Sequence, residues 1–168
     1  MVLTKSELIT ALQNEVRILL HLANKIDPSQ LDYRPTPKQR STMELLRYLS
    51  VMGPSLVEGV GVGFDQARWK VAADAAAARD FDQTLEAIAA HADTYARLLS
   101  AMSDDDLRLP FDGFDGRKTT RGAFIVNLVL CGCAAYRTQL FLYLKACGRD
   151  ELGTANLWGG MDAPPAAS

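Results

Sequence analysis

Metal-assisted or acid–base chemistry draws most often on histidine, and this chain holds only His21 and His91, far apart and with no second histidine three or four residues from either. A catalytic zinc or similar ion usually takes three protein ligands, with neutral imidazole the commonest nitrogen donor. Two scattered histidines do not supply that set. Each lies at or beyond the edge of the apolar stripe of its segment, so both are expected in solvent-facing or boundary positions. Thiol chemistry would fall to Cys131, Cys133 or Cys147. Cys131 and Cys133 are two apart in a helical segment, which at about 100° per residue points their sulfurs to nearly opposite sides, and both read as core thiols. Gly59-Val-Gly61-Val-Gly63 has the glycine content of a phosphate loop, but it follows a helical segment and lacks the final spaced glycine. Asp104-Asp105-Asp106 lacks the alternating ligand spacing of a calcium loop and reads as solvated residues past a helix end. No P-loop, HExxH, CxxC or GxSxG pattern is present.

The composition narrows the partners. With 18 basic against 20 acidic residues and a net charge of −2, the chain carries no basic stripe for a phosphate backbone, which excludes nucleic acid as an expected partner. The start, MVLTKSELIT, is polar and charged where an export signal needs an apolar core, so a cytoplasmic location with reduced thiols is expected. The most apolar stretch, Gly122 to Tyr136, is bounded by Arg121 and Arg137 and interrupted by Asn127. It is short of the roughly 20 residues of a membrane span and reads as a buried helix, with no membrane partner.

The elements that must position any site are helical, and 168 residues at 48% hydrophobic content make one core. Thr4-Lys5-Ser6-Glu7 is a capping box, and Leu8, Leu12, Val16, Leu19, Leu20, Ala23 and Ile26 form one stripe that ends at Asp27-Pro28. Pro35 and Pro37 predict an extended crossing. Ser41-Thr-Met-Glu44 caps a second helix with the seam Leu45, Leu49, Met52, Leu56 and Val60. Residues 59–79 combine loosening glycines with an alanine-rich run that has no stripe, and read as a connection. A third helix follows from Phe81, Leu85, Ile88, Ala92, Tyr95, Leu99 and Met102. Two Asp-Gly pairs between Asp104 and Lys118 predict a small hairpin or long loop. The fourth helix starts at Thr119 or Thr120, runs to Cys147 and leaves through Gly148. It has two apolar faces, and the second, with Val126, Leu130, Cys133 and Phe141, suggests a homodimer through helix four. Residues 1–152 form the bundle, and 153–168 a mostly structureless tail that docks through Leu157 and Trp158.

This order of elements, with Leu31-Asp-Tyr-Arg-Pro35, Leu45-Leu-Arg-Tyr-Leu49, Tyr136-Arg-Thr-Gln-Leu-Phe-Leu-Tyr-Leu144 and Gly148, resembles the DinB superfamily over most of the chain. The resemblance implies an all-α, DinB-like four-helix bundle with long connections and a short extended or hairpin segment before helix four. It also implies a metal site built from one histidine on helix two and a His-x-x-x-His pair on helix four. The matching positions here are Tyr48, Gly132 and Tyr136, so all three ligands are replaced. A phenol with a pKa near 10 is a poor ligand near neutral pH, and glycine has no side chain to offer. No metal and no cofactor are therefore expected.

The resulting expectation is a DinB-like protein with a degenerate metal site that is non-catalytic or binds a small molecule beside Tyr48, Gly132 and Tyr136, with Arg47, Arg137 and Gln139 as possible neighbours. Two alternatives stand beside it. One is a metal- or tyrosine-dependent thiol-cofactor transferase or hydrolase, the chemistry that the resemblance implies. The other is a homodimeric interaction scaffold.

Overall fold

The computed structural model describes residues 3–164. Its elements are α1 (Lys5–Ala23), α2 (Thr42–Val62), α3 (Gln66–Ala77), α4 (Phe81–Ala89), α5 (His91–Ser100), the short α6 (Asp104–Arg108), a hairpin of β1 (Pro110–Asp112) and β2 (Lys118–Thr120), and α7 (Arg121–Ala146). α1, α2, the nearly continuous α4–α5 rod and α7 pack side by side around one core. The fold is all-α, and β1 and β2 pair antiparallel with Phe111 opposite Thr119.

Local chemistry explains the boundaries. Both expected capping boxes are formed, at Thr4/Glu7 and at Ser41/Glu44. Thr120 caps α7 by accepting from the Ala123 N–H, and Gly148 takes φ +89° just past its end. The seam of α2 is buried along its length, from Leu45 through Leu49, Met52 and Leu56 to Val60. On α1 the buried surface is wider than one stripe, because Ile18 and Leu22 are covered as well.

Four segments depart from the sequence reading. Residues 66–77 form a helix, α3, where a connection was expected; Asp65 caps it, and it rests on α2 through half-buried Trp69 and buried Ala76. Asp104–Asp106 follow the end of α5, with Asp104 and Asp105 exposed as expected, but they also form the first turn of a short helix, α6, with Ser103 and Asp106 in a further capping box. Carboxylates there meet the positive end of the helix dipole. The tail forms a π-helical turn at Ala155–Gly159 that packs on α1 and α7. Its anchor is buried Asn156, while Trp158 is 68% exposed; Arg17 donates to the carbonyls of Gly159 and Gly160, and this packing covers Ile18. Residues 165–168 of the expected tail lie outside the described residues. Finally, Ile125–Leu130 inside α7 is π-helical, with the Cys131 N–H bonded to the Val126 carbonyl. The extra residue in that turn rotates everything upstream. Val126, Leu130, Cys133 and Phe141 are half-buried against the core, and exposed Cys131 faces outward instead of lying in the core.

α7 spans 26 residues with a window of mean hydropathy 1.4, long and apolar enough to cross a membrane by length and composition. Its inner face carries Ile125, Val129, Leu140 and Leu144 into the core, and buried Arg137 pairs with Glu15 of α1 at 2.8 Å, as in a helix packed within a bundle.

His91 is also a correction: it is 7% exposed, not at the boundary. The cause is Pro54, inside α2, which has no N–H to give the carbonyl of Ser50 one turn earlier. The His91 Nε2–H donates to that orphan carbonyl at 3.0 Å. Burial, and secondarily Arg79, lowers the His91 pKa to about 4, so it is neutral near pH 7. His21 is half-buried as expected, and its Nε2 accepts from the Asn156 amide at 3.1 Å.

Candidate functional site

Tyr48 comes from the second turn of α2, Gly132 and Tyr136 from one face of α7 just past the π segment. Packing of α2 on α7 brings the three together. The Tyr48 and Tyr136 rings meet edge to face with centroids 5.2 Å apart, and a Cβ built on Gly132 would stand 3.5 Å from the Met52 methyl. The tyrosines do not fill the space beside them. An open cleft of about 520 Å³ is lined by Tyr48, Met52, Tyr136 and Gly132, by Phe64 from the loop before α3 and Trp69 from its first turn, by Phe114 from the hairpin, and by Asn127, Leu128, Cys131 and Ala135 of α7.

The lining has a consistent character. Tyr48, Phe64, Trp69, Phe114 and Tyr136 supply five aromatic rings, and no lysine, arginine, aspartate or glutamate is among the lining residues. The rings support one another: Tyr48 with Trp69 at 6.2 Å, Phe64 with Trp69 at 6.3 Å, Phe64 with Phe114 at 5.1 Å. A cation rests against one of these rings: the Arg40 guanidinium carbon lies 4.0 Å from the centre of the Tyr48 ring. Burial, then the neighbouring Tyr136 phenol, pushes the Tyr48 pKa up to about 12. Burial also pushes the Cys133 thiol behind it up to about 11. Near pH 7 both are neutral, so the site presents hydrogen-bonding phenols and aromatic faces without a charge.

The expected neighbours are occupied elsewhere. Arg47 donates to the carbonyl of Arg79, at 3.0 Å from its Nε. Arg137 points to the other side of α7, where it pairs with Glu15 and donates to the Leu157 carbonyl. Gln139 donates to the Tyr143 hydroxyl, which itself donates to the Arg40 carbonyl at 3.0 Å. Sequence reasoning missed Arg40, Phe64, Trp69 and Phe114. For the three aromatic residues the signal was present: large rings in segments read as connections or turns need somewhere to be buried.

The metal that the resemblance implies does not fit these residues. Gly132 has no donor atom, Tyr48 holds its proton far above neutral pH, and among the described residues no three His, Cys, Asp or Glu side chains converge.

No family model and no curated protein matches this sequence. Among solved structures, the chain is similar to the crystal structure of a DinB-like protein, YjoA, from Bacillus subtilis. The TM-score is 0.66 at 17% identity, and the match covers 88% of this chain and 95% of that one. At that identity the likeness speaks for the backbone arrangement alone, and with the element order above it makes this chain one with the all-α, DinB-like fold.

Proposed function

We propose that this chain is a non-catalytic binding protein that holds a small, flat, uncharged molecule in the aromatic cleft, at the positions where the resemblance implies a metal. The observation that carries this is the convergence of five aromatic rings on an open cleft whose lining bears no charge. Aromatic faces stack a flat ring system, and the Tyr48 and Tyr136 hydroxyls with the Asn127 amide give it a few polar contacts to orient by. A cation would lose its hydration there without an opposite charge in return, and Arg40, the cation against Tyr48, is not itself among the lining residues. The volume is that of a small-molecule site. The tyrosine-dependent alternative has little support: a phenol raised to about 12 is almost never ionised near pH 7, and Arg47 and Arg137 do not face it.

Binding is testable with 2-naphthol as an uncharged bicyclic probe, in a Trp158→Phe background where Trp69 is the sole indole. The account expects saturable quenching of Trp69, lost in Gly132→Leu, whose side chain enters the cleft, with the melting temperature kept. Equal quenching in Gly132→Leu, or none in the parent, contradicts it.

A further inference from the structure

The polar groups of the aromatic cleft are unequal in kind. The Tyr48 and Tyr136 hydroxyls have no protein partner but each other, so at least one phenol O–H is free to donate outward. No described group accepts from the Trp69 indole N–H, which can only donate, and neither it nor the two phenol oxygens is closed off from water. Asn127 adds its amide, and the amide oxygen is the one side-chain oxygen of the lining that accepts without also donating. No carboxylate is there to take up the surplus. The cleft is therefore rich in donors and short of acceptors.

Two features aim this surplus at one spot. Gly132 lies one turn before Tyr136 on the same face of α7, and with no side chain at that position the space beside the phenols stays empty. On the Tyr48 ring rests the Arg40 guanidinium, its carbon 4.0 Å from the ring centre. That positive charge draws electron density from the ring, makes the O–H a stronger donor, and opposes the burial that raises the Tyr48 pKa. Arg40 is itself steadied, because its carbonyl accepts from the Tyr143 hydroxyl at 3.0 Å.

We infer that the ligand is a flat aryl carbonyl compound whose carbonyl oxygen accepts from the Tyr48–Tyr136 phenol pair beside Gly132. This rests on the binding function proposed above and names the class of molecule that the cleft selects. A ketone oxygen offers two lone pairs and carries no proton that needs a partner. It satisfies the phenols and leaves no donor of its own against an apolar wall. A phenol or an arylamine of the same shape adds a further donor to a lining already short of acceptors, and each unmet donor weakens binding.

2-Acetylnaphthalene and 2-naphthol share the bicyclic body, but the first only accepts and the second also donates. Isothermal titration calorimetry of the full chain is expected to show the ketone binding about tenfold more tightly, the margin that one or two net hydrogen bonds supply. The double variant Tyr48→Phe, Tyr136→Phe keeps both rings and is expected to bind the ketone no more tightly than 2-naphthol. The infrared carbonyl band of the bound ketone is expected at lower frequency in wild type than in this variant, the mark of an accepted hydrogen bond. If 2-naphthol binds and the ketone binds no more tightly, the inference is overturned while the aromatic site stands. If the margin and the band position survive loss of both hydroxyls, the phenols are not the donors and the inference is again overturned. If neither compound binds, the binding function itself falls and takes the inference with it.

Discussion

Acidification tests the Pro54–Ser50–His91 arrangement quantitatively. His91 is buried with its Nε2–H on the Ser50 carbonyl and its pKa lowered from the ordinary 6.5 to about 4, by burial first and by Arg79 second. The unfolded chain therefore takes up this proton before the folded one does. Between pH 6.5 and about 4 the unfolded state binds more protons, so stability falls as pH falls through that window; it is fully present above 6.5 and changes no further below 4. The gap, at about 1.4 kcal/mol per pH unit, bounds the loss at about 3 kcal/mol, with about 2.5 kcal/mol gone by about pH 4.5. Other groups titrate over the same range, so the reading must be a difference. His91→Gln keeps an N–H to offer Ser50 but takes up no proton. Urea unfolding of both proteins at a series of pH values should show wild type losing about 2 to 3 kcal/mol more than His91→Gln between about pH 7 and 4.5. Parallel curves would refute the argument, and would mean that His91 reaches water in the folded protein.

Two further outcomes follow from the packing. Gly53→Ala drives a Cβ into the hydroxyl of Tyr95, which is fully buried, so it should cost about 2 kcal/mol by denaturant unfolding, and Tyr95→Phe in the same chain should recover part of that. Glu15→Ala leaves the Arg137 guanidinium buried without its partner; it should cost about 3 kcal/mol and, by loosening Arg137's hold on Leu157, speed proteolytic cleavage near Ala155–Gly159.

What could be read from the sequence is what repeats along a helix. The seams of α1, α2 and the α4–α5 rod follow from residues three and four apart, and their caps from side chains that bond the first free N–H groups. α3 escaped because its alanines carry helix propensity but no stripe, and its main anchors on the core are Trp69 and Ala76. The face of α7 was misjudged because a constant 100° step does not hold across a π turn. His91 was misjudged because its partner is created by a proline on another helix, a pairing that no periodicity within one segment records. At the site, the positions of Tyr48, Gly132 and Tyr136 came from the family resemblance and lie together in the fold. Phe64, Trp69 and Phe114 lie in a short loop between helices, an unpredicted helix and a turn, where local pattern does not say which way a ring points.

The central claim is that a flat, uncharged molecule occupies the cleft between α2, α3 and α7. A two-dimensional NMR titration of labelled protein with 2-naphthol tests it residue by residue. The account predicts saturable shifts concentrated at the Trp69 indole N–H and the amides around Tyr48, Gly132 and Phe114, with the Trp158 indole unmoved. No shifts, or shifts centred on another surface such as the cleft between Leu3, Leu8 and Leu107, would contradict it.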